Sequence, residues 1–361
     1  MDDDFRIGYA RTFLTAEGTV GLGDVGLGLL EGVPGVRHEF LPAPLAELGP
    51  ERIGAVDALV LLGERVTRET LVGADRLAIM ARYGVGYDMI DVPACTEAGV
   101  VLTITPDGVR RPMATAILTF LLALHHRLLE KDRQTRAGIG FASRLATMGH
   151  GLSGKLVGSI GVGNIGREFF RIARPLDLRY QAHDPYVRQE DVADLGVQLV
   201  DLETLLRTSD VVLVNCPLNE ETHHLLNAER LALLKPTAFL ISTARGPIVD
   251  QAALTEALRA GRIRGAALDV YEQEPVDPND PILTLDNAIV TPHALAWTDE
   301  WVWLSGRSCI ESMLAVATGQ APRYVVNRAV LETERFKEKL RRYAEQAARV
   351  GRQASVASGV S

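Results

Sequence analysis

The sequence predicts an α/β fold with two units, each built around a parallel sheet. Short apolar runs alternate with helical patterns along most of the 361 residues, which is the pattern of parallel strands joined by crossover helices. The chain is long for one compact domain and suits two domains with separate cores. A glycine-rich turn between an apolar run and a helical pattern, at residues 161–166, is typical of doubly wound sheets.

Four apolar runs in the first third predict a small sheet, with strands at residues 6–9, 58–62, 78–82 and 100–104. From Arg111 to about Gly138, apolar residues recur at a spacing of three to four. This spacing predicts one long helix with a buried stripe, suited to bridging two domains.

A second series of runs predicts six further strands, at residues 156–160, 179–183, 211–215, 238–242, 266–270 and 288–291. Helical segments separate them, as in a complete dinucleotide-binding sheet. One helix at 299–318 and a short segment at 324–327 follow, and we expect them to return to the first domain. The predicted domains are therefore 1–106 with 293–330, and 107–292.

The tail, residues 331–361, is charged and ends in small residues. We expect a solvated helix at residues 332–349 and disorder over the last ten or so residues.

Composition excludes several classes of protein. The net charge of −8 disfavours a nucleic-acid partner, and the apolar stretch 116–124 is far shorter than the roughly 20 residues that a membrane span needs. The acidic start lacks the order of a secretory signal, and Cys95, Cys216 and Cys309 lack the spacing of disulfide or zinc frameworks. We expect a cytoplasmic protein with reduced core thiols and no metal site.

The glycine-rich turn predicts a dinucleotide site. Gly161 permits a tight turn, Gly163 lets the backbone approach a pyrophosphate, and Gly166 lets helix and strand pack closely. Asn164 and Ile165 begin the helix, whose free N–H groups and positive dipole end would face the phosphates.

Asp184 lies about 20 residues downstream and closes the next strand, where a carboxylate can bind the adenosine ribose. It would repel the 2′-phosphate of NADP, so the sequence favours NAD. Arg188 is either a phosphate ligand or a solvated surface residue.

Three segments that follow strands carry groups suited to hydride transfer. They are Ser242-Thr-Ala-Arg-Gly246, Leu268-Asp-Val-Tyr-Glu-Gln-Glu-Pro275 and Thr291-Pro-His293. Oxidation of a secondary alcohol needs a base for the hydroxyl proton and, for a 2-hydroxy acid, a cation for the carboxylate. Ligands of doubly wound folds bind at this edge of the sheet.

These segments, in this order, closely resemble the D-isomer-specific 2-hydroxyacid dehydrogenases, which include D-lactate, D-glycerate, glyoxylate/hydroxypyruvate and D-3-phosphoglycerate enzymes. The likeness covers roughly residues 55–327. It also includes Arg82-Tyr-Gly-Val-Gly-Tyr-Asp88, Asp210-Val-Val and Thr222-His-His-Leu-Leu.

The resemblance implies two Rossmann-like domains, with a doubly wound NAD domain inserted into a smaller flavodoxin-like substrate domain, and an active site in the cleft between them. It implies that Arg245 binds the substrate carboxylate and carbonyl oxygen, that His293 is the general acid/base, and that Glu274 pairs with His293. A neighbouring carboxylate stabilises an imidazolium, and the planar guanidinium matches a carboxylate. Glu272, the other acid of this segment, is expected to be solvated.

Other roles follow from the same resemblance. Asp269 would bond the nicotinamide carboxamide, and Cys216 with Pro217 would form a wall of the adenine pocket. Ala244, beside Arg245, would also contact the cofactor. Backbone N–H groups of Val85 and Gly86 would face the substrate carboxylate. The long helix usually carries the dimer contact in this family, so a homodimer is expected.

The chain also departs from the family pattern. Met113-Ala-Thr115 replaces a usual Val-Ala-Glu, and the sequence after His293 contains Trp297, Trp301 and Trp303; these tryptophans either reshape the pocket or anchor the next helix. Arg110 and Arg111 either face the cleft, where they would favour a phosphorylated or dicarboxylic substrate, or form a solvated pair before the helix.

Two other functions are considered on the same fold. One is an NAD(H)-sensing binding protein like the corepressors that share it, and the other is oxidation of formate or phosphite. The sequence leaves the 2-hydroxy acid itself unidentified.

Overall fold

The computed structural model describes residues 4–48 and 50–357. These residues form two compact units, one within Met1–Val109 and Thr298–Ser361 and the other Arg110–Trp297. Each unit holds one parallel sheet with helices on its faces. The predicted α/β class with two Rossmann-like sheets is confirmed.

The first unit contains a five-stranded sheet in the order β2-β1-β3-β4-β5. Its strands are β1 Phe5–Tyr9, β2 Val36–Phe40, β3 Ala58–Leu61, β4 Ile79–Arg82 and β5 Val101–Thr103, and its helices are α1 Pro50–Ile53, α2 Val92–Glu97, α9 Asp299–Ala317 and α10 Glu334–Ala357. This is the flavodoxin-like strand order. The segment after α9 returns to β5, because the Val326 amide donates to the Leu102 carbonyl at 2.9 Å.

The second unit contains a seven-stranded sheet in the order β12-β11-β10-β9-β6-β7-β8. Its strands are β6 Leu156–Ile160, β7 Arg179–His183, β8 Val197–Leu199, β9 Val211–Val214, β10 Phe239–Ser242, β11 Gly265–Leu268 and β12 Ala288–Val290. Its helices are α4 Leu128–Arg136, α5 Asn164–Ala173, α6 Leu202–Thr208, α7 Ala228–Leu231 and α8 Gln251–Arg259, together with most of α3, Pro106–His126. The order reverses between β6 and β9, which is the switch point where doubly wound sheets bind ligands.

Alternate residues of these strands enter two cores, one on each face of the sheet. Leu213 and Ile241 pack with Phe169 of α5 on one face, and Val212 and Leu240 pack on the other. Both faces are covered, as parallel sheets require. This packing fixes the strand ends and the loops that follow them.

The sequence missed two strands, β2 and β8. Each pairs with only one neighbour, at an edge of its sheet. The central residues of β2 are exposed, so its sequence lacks the apolar run that marks a buried strand.

The prediction of one long helix from Arg111 to about Gly138 is wrong in its bounds and its continuity. The helix begins at Pro106 and breaks at Arg127, whose φ of +50° ends α3. The Arg127 guanidinium binds Glu130 and the Ala146 carbonyl, which holds the break. No single helix among the described residues has the length and apolar composition of a membrane span, although α3 and α4, bent by 60°, pass that test as a pair.

The tail forms the predicted helix, α10, but one face of the helix is buried and not solvated. Phe336, Lys339 and Tyr343 are 0%, 5% and 1% exposed and pack on the first unit. The Lys339 ammonium donates to the carbonyls of Leu77, Ala98 and Gly99 at 2.6–3.1 Å. Most of the expected disordered segment, the last ten or so residues, lies outside the described side chains.

Candidate active site

The glycine-rich turn follows β6 at the switch point. Gly161 has φ +90°, and a Cβ there would lie 2.8 Å from the Asn215 carbonyl oxygen, so only glycine fits. Gly166 is tight against the turn, with its Cβ position 3.2 Å from the Gly161 carbonyl oxygen. Around Gly163, by contrast, no described residue beyond the adjoining backbone has an atom within 4 Å of the Cβ position. Open space therefore lies at the start of α5.

This turn fits a dinucleotide. Asn164 and Ile165 open α5, and the first-turn amides of a helix lack intrahelical acceptors. Asp184 is tied to the turn, because its Oδ2 accepts from the Val162 amide at 3.0 Å. A carboxylate has further lone pairs, so Asp184 keeps acceptor capacity for a ribose hydroxyl.

Cys216 and Pro217 follow β9, beside the glycine turn. Burial raises the pKa of the Cys216 thiol to about 11, so the side chain is a neutral, mainly apolar surface. All three cysteines are buried and free, as predicted for core thiols.

His293 and Glu274 form a hydrogen-bonded pair. The His293 Nδ1 lies 2.7 Å from the Glu274 Oε2, and the two side chains are 40% and 36% exposed. The other Glu274 oxygen accepts from the Tyr271 amide at 2.9 Å. Burial opposes the charge on Glu274, but the hydrogen bonds from His293 and Tyr271 and the positive charge of Arg245 together lower the pKa of this carboxyl.

Asp269 holds the loop that carries His293. Asp269 is 1% exposed, and its carboxylate accepts from the Thr291 hydroxyl at 2.6 Å and from the amides of Ala294 and Leu295 at 3.1–3.2 Å. The loop needs such support, since His293 has φ +54°. Sequence reasoning missed this contact, although Leu268 pairs with Val290 in register, which places Asp269 opposite Thr291.

Arg245 and Ala244 follow β10. Arg245 is half-buried, and its guanidinium donates to the Ala244 carbonyl at 2.7 Å. The next residue, Gly246, is packed against the turn that carries Glu274: a Cβ there would lie 2.5 Å from the Glu272 nitrogen and closer still to the Tyr271 carbonyl group. The structure therefore brings Arg245, Asp269, Glu274 and His293 together at the ends of β10, β11 and β12.

Val85 and Gly86 belong to the first unit, in the turn after β4. The Arg82 side chain donates to the Gly86 carbonyl at 2.8 Å, and the Gly84 amide donates to the Thr105 hydroxyl at 2.8 Å. These contacts fix the turn. The role of its amides in substrate binding stays a prediction.

Glu272 and Arg188, two charged residues of the sequence analysis, have partners in the structure. Glu272 is not simply solvated, because it accepts from His224 Nε2 at 2.8 Å. Arg188 pairs with Glu190 and Asp191, as expected of a surface arginine.

Arg110 and Arg111 do not precede the helix but lie inside α3. Both face Glu168 of α5, at 3.9 and 2.8 Å. Both side chains therefore lie near an acidic partner within the unit, and the solvated pair before the helix is not observed.

The tryptophans differ from one another. Trp301 is 5% exposed, and its ring packs edge-on against Tyr83 at 5.2 Å. Thr298 caps the same helix, α9, through the Trp301 amide. Trp301 therefore anchors the helix, whereas Trp297 and Trp303 are 47% and 38% exposed.

Within residues 4–48 and 50–357, no group of three His, Cys, Asp or Glu side chains has the arrangement of a metal site.

Comparison with known proteins agrees with this geometry. Residues 118–294 match the family described as "D-isomer specific 2-hydroxyacid dehydrogenase, NAD binding domain". The chain is 38% identical over 285 residues to a glyoxylate reductase of Korarchaeum cryptofilum, covering 78% of this chain and 86% of that protein. It is 36% identical to a D-3-phosphoglycerate dehydrogenase of Archaeoglobus fulgidus over 84% of this chain, but over only 57% of that longer protein.

A solved structure of a Thermus thermophilus protein superposes with a TM-score of 0.78 at 33% identity, covering 89% of this chain and 99% of that one. The relatives above are enzymes by name, and they do not favour the binding-protein alternative. This chain belongs to the D-isomer-specific 2-hydroxyacid dehydrogenase family and is an NAD-dependent oxidoreductase of 2-hydroxy and 2-oxo acids.

Proposed function

We propose that Arg245, Glu274 and His293 perform the chemistry of this oxidoreductase on a small, unphosphorylated 2-oxo acid such as glyoxylate. The observation that carries the proposal is the His293–Glu274 pair, with Nδ1 and Oε2 2.7 Å apart and with the charge of Arg245 acting on the same carboxylate. An acid/base group, its orienting partner and a cation for the substrate carboxylate are the parts that the reaction needs.

The contacts support one atom for each proposed step. NADH, when bound, would supply the hydride that reduces C2. Because His293 Nδ1 is hydrogen-bonded to Glu274, the ring nitrogen that remains for the substrate oxygen is Nε2. Nε2 gives up its proton as the alkoxide forms and takes a proton back in the reverse direction. Glu274 stays ionised and stabilises the protonated form of His293, which exists before proton donation in reduction and after proton uptake in the reverse direction. Arg245 binds the substrate carboxylate through its planar fork.

For the cofactor, we propose that the turn Gly161–Gly166 binds the pyrophosphate and that Asp184 binds the adenosine ribose. The open space at Gly163 and the tie between Asp184 and the Val162 amide support these roles. Cys216 and Pro217 would face the adenine, and Ala244 and Asp269 the nicotinamide end. Since Asp269 also holds the His293 loop, it would link cofactor binding to the position of the acid/base.

The preference for an unphosphorylated substrate rests on two observations. Glyoxylate reductases and D-3-phosphoglycerate dehydrogenases match at similar identity, but the alignment covers 83–90% of the glyoxylate reductases and only 54–57% of the D-3-phosphoglycerate dehydrogenases. Arg110 and Arg111 are the cations that could serve a phosphate; Arg111 pairs with Glu168 at 2.8 Å, and Arg110 lies 3.9 Å from the same carboxylate, which offsets part of their charge.

A panel of 2-oxo acids with NADH tests the function. Glyoxylate and hydroxypyruvate should be reduced with a higher kcat/KM than phosphohydroxypyruvate, and His293→Ala should lower kcat by roughly 10²–10⁴ while NADH still binds. A preference for phosphohydroxypyruvate would contradict the substrate assignment. Binding of NADH without turnover of any acid would favour a sensing protein instead.

We further propose that the protein is a cytoplasmic homodimer without nucleic-acid or membrane partners. Apolar side chains of α4 and the loop after it are exposed, among them Phe141 at 74% and Leu145 at 81%. Leu128, Leu129 and Ile139 of the same region line a cavity of about 790 Å³ between α4 and the amino ends of β10 to β12. Monomers rarely leave apolar patches of this kind uncovered.

Light scattering after size-exclusion chromatography measures the oligomeric state. The double variant Phe141→Asp, Leu145→Asp should be monomeric, and Val72→Asp, which changes an exposed valine of the first unit, should leave the dimer intact. A monomeric unaltered protein would exclude the proposal.

A further inference from the structure

Two histidine–carboxylate pairs share the short turn from Tyr271 to Pro275. Glu274 pairs with His293, as described above. Glu272, two residues earlier, pairs with His224, whose Nε2 lies 2.8 Å from Glu272 Oε1. The second pair is outside the set of groups assigned to the reaction, yet it is built into the same turn.

Glu272 is fixed from a second side by α8. The Gln251 amide donates to Glu272 Oε1 at 3.0 Å, and the Glu272 amide donates to Gln251 Oε1 at 3.1 Å. One carboxylate oxygen therefore accepts from both the imidazole and the first residue of α8. A neutral imidazole can supply that N–H, so the contact does not require a charged histidine.

His224 is in turn tied to the Arg245 loop. Its amide donates to the Pro247 carbonyl at 2.8 Å, and the Leu226 amide donates to the Ile248 carbonyl at 3.0 Å. His224 has φ +46°, a conformation that costs free energy for a residue with a side chain. The local contacts hold the residue in this conformation.

The two loops that His224 joins lie directly against each other. The Cβ position of Gly246 is 2.5 Å from the Glu272 nitrogen, so the backbone after Arg245 lies on the backbone before Glu274. Through its amide His224 binds the first loop, and through its ring it binds the second.

We propose that His224 is a positioning residue for catalysis: it clamps the Arg245 loop to the Tyr271–Pro275 turn and so fixes the substrate-binding cation relative to the His293–Glu274 pair. The inference rests on the roles proposed above for Arg245, Glu274 and His293. His224 does not touch the reacting atoms; it acts through Glu272 and the backbone of Pro247.

The test variant is His224→Asn. Asparagine tolerates the left-handed backbone, but its shorter side chain does not reach Glu272, so the contact is lost without added backbone strain. We expect kcat/KM for glyoxylate to fall about tenfold to a hundredfold, because misplacement by about 1 Å has costs of this order. Part of the loss should be in kcat and part in the KM of the acid, while the Kd of NADH changes less than about twofold.

Two further variants make the test specific. His224→Gln places an amide N–H near the position of Nε2 and should recover most of the lost activity. His223→Ala is the matched control: His223 stacks on the His224 ring at 4.2 Å, and its side chain forms no hydrogen bond with any residue in the described part of the chain, so activity should be unchanged.

A double-variant cycle identifies the partner. Glu272→Ala removes the His224 contact and also the Gln251 contact. If His224 acts through Glu272, then adding His224→Asn to Glu272→Ala should lower kcat/KM no further than Glu272→Ala does alone. Losses that multiply would overturn the proposed pair. So would His224→Asn with unaltered kcat and KM, a lowered Tm as its sole effect, or His224→Gln no more active than His224→Asn.

Parallel assay of His293→Ala separates this inference from the function on which it rests. An active His293→Ala would refute the assigned chemistry. A nearly inactive His293→Ala beside a fully active His224→Asn would refute only the positioning role.

Discussion

Replacement of Gly246 by alanine should damage catalysis more than folding. A Cβ at this position would lie 2.5 Å from the Glu272 nitrogen and closer to the Tyr271 carbonyl group, whereas ordinary Cβ contacts begin at 3.4 Å. One of the two backbones must therefore move by more than about 1 Å, because the Tyr271 carbonyl group is the nearest obstacle. The Arg245 loop and the Glu274 turn would separate by that amount.

The expected size of the effect follows from this displacement. Misplacement of a substrate-positioning group by about 1 Å costs roughly 10²-fold in rate, so kcat/KM for the 2-oxo acid should fall by about that factor. Overpacking costs about 1–3 kcal/mol of stability, and a unit of this size should lose several degrees of Tm, at about 2–4 °C per kcal/mol. NADH absorbance measures the rate, and calorimetry measures the Tm.

Gly151→Ala is the matched control. Gly151 lies in the same unit, and among the described residues no atom beyond its chain neighbours lies within 4 Å of its Cβ position, so the change should leave rate and Tm unaltered. If Gly246→Ala kept kcat/KM within twofold and Tm within a degree, the two loops could not be packed as described, and the positioning argument built on them would fail.

Four other perturbations have defined outcomes. Arg245→Lys keeps the charge but not the planar fork, so kcat/KM for the acid should fall much more than NADH affinity; unchanged rates in a stable variant would remove Arg245 from the site. NADH should bind the unaltered protein more tightly than NADPH, and Asp184→Ala should narrow that gap by relieving repulsion of a 2′-phosphate; equal affinities before the change would contradict the role of Asp184. The pKa of Glu274 is lowered, so the stability that its charge contributes is present above the ordinary value and is lost as pH falls through the folded one; the Tm difference between the unaltered protein and Glu274→Gln should therefore shrink on acidification, and a constant difference would argue against an ionised pair. Tyr343→Phe removes the hydroxyl that donates to the buried Asp57 at 2.6 Å and should cost about 1–3 kcal/mol, measured by denaturant unfolding; no change would mean that this contact does not stabilise the first unit.

The sequence was most informative where a strand is buried on both faces. All ten predicted strands are present, with bounds shifted by two residues at most. The two missed strands, β2 and β8, lie at sheet edges, where partial exposure removes the apolar signal. The break at Arg127 was also invisible, because a left-handed arginine has no local sequence signature.

Within the site, sequence position identified the groups but not how they are held. His293 and Glu274 are 19 residues apart and meet because β11 and β12 are neighbours. The sequence predicted that Asp269 contacts the cofactor and that Glu272 is solvated. The residues adjoining each acid do not show that it accepts hydrogen bonds from distant segments. Glu272 contacts Gln251 and His224. These three residues follow β9, β10 and β11, and they meet because the three strands are neighbours in the sheet.

The sequence of the tail contains an apolar spacing that indicates a packed helix, but its many charged residues led to the prediction of a solvated one. Phe336, Leu340 and Tyr343 recur at the spacing of one helical face, which predicts a packed helix, but the surrounding charges favoured a solvated one. Lys339 is on the same face and binds carbonyls instead of solvent.

The contacts of α10 also define what the tail does. Its side chains bind the Leu77 and Gly99 carbonyls and the Asp57 carboxylate, and these three residues lie just before β4, β5 and β3. Because all strands of this sheet are parallel, α10 covers the amino-terminal edge of the sheet. The turn with Val85 follows β4 and is therefore at the opposite edge. The tail helix α10 thus stabilises the first unit at the edge opposite the predicted substrate contact. Removing the side chains that anchor α10 should therefore lower the stability of the unit more than it changes the affinity for the 2-oxo acid.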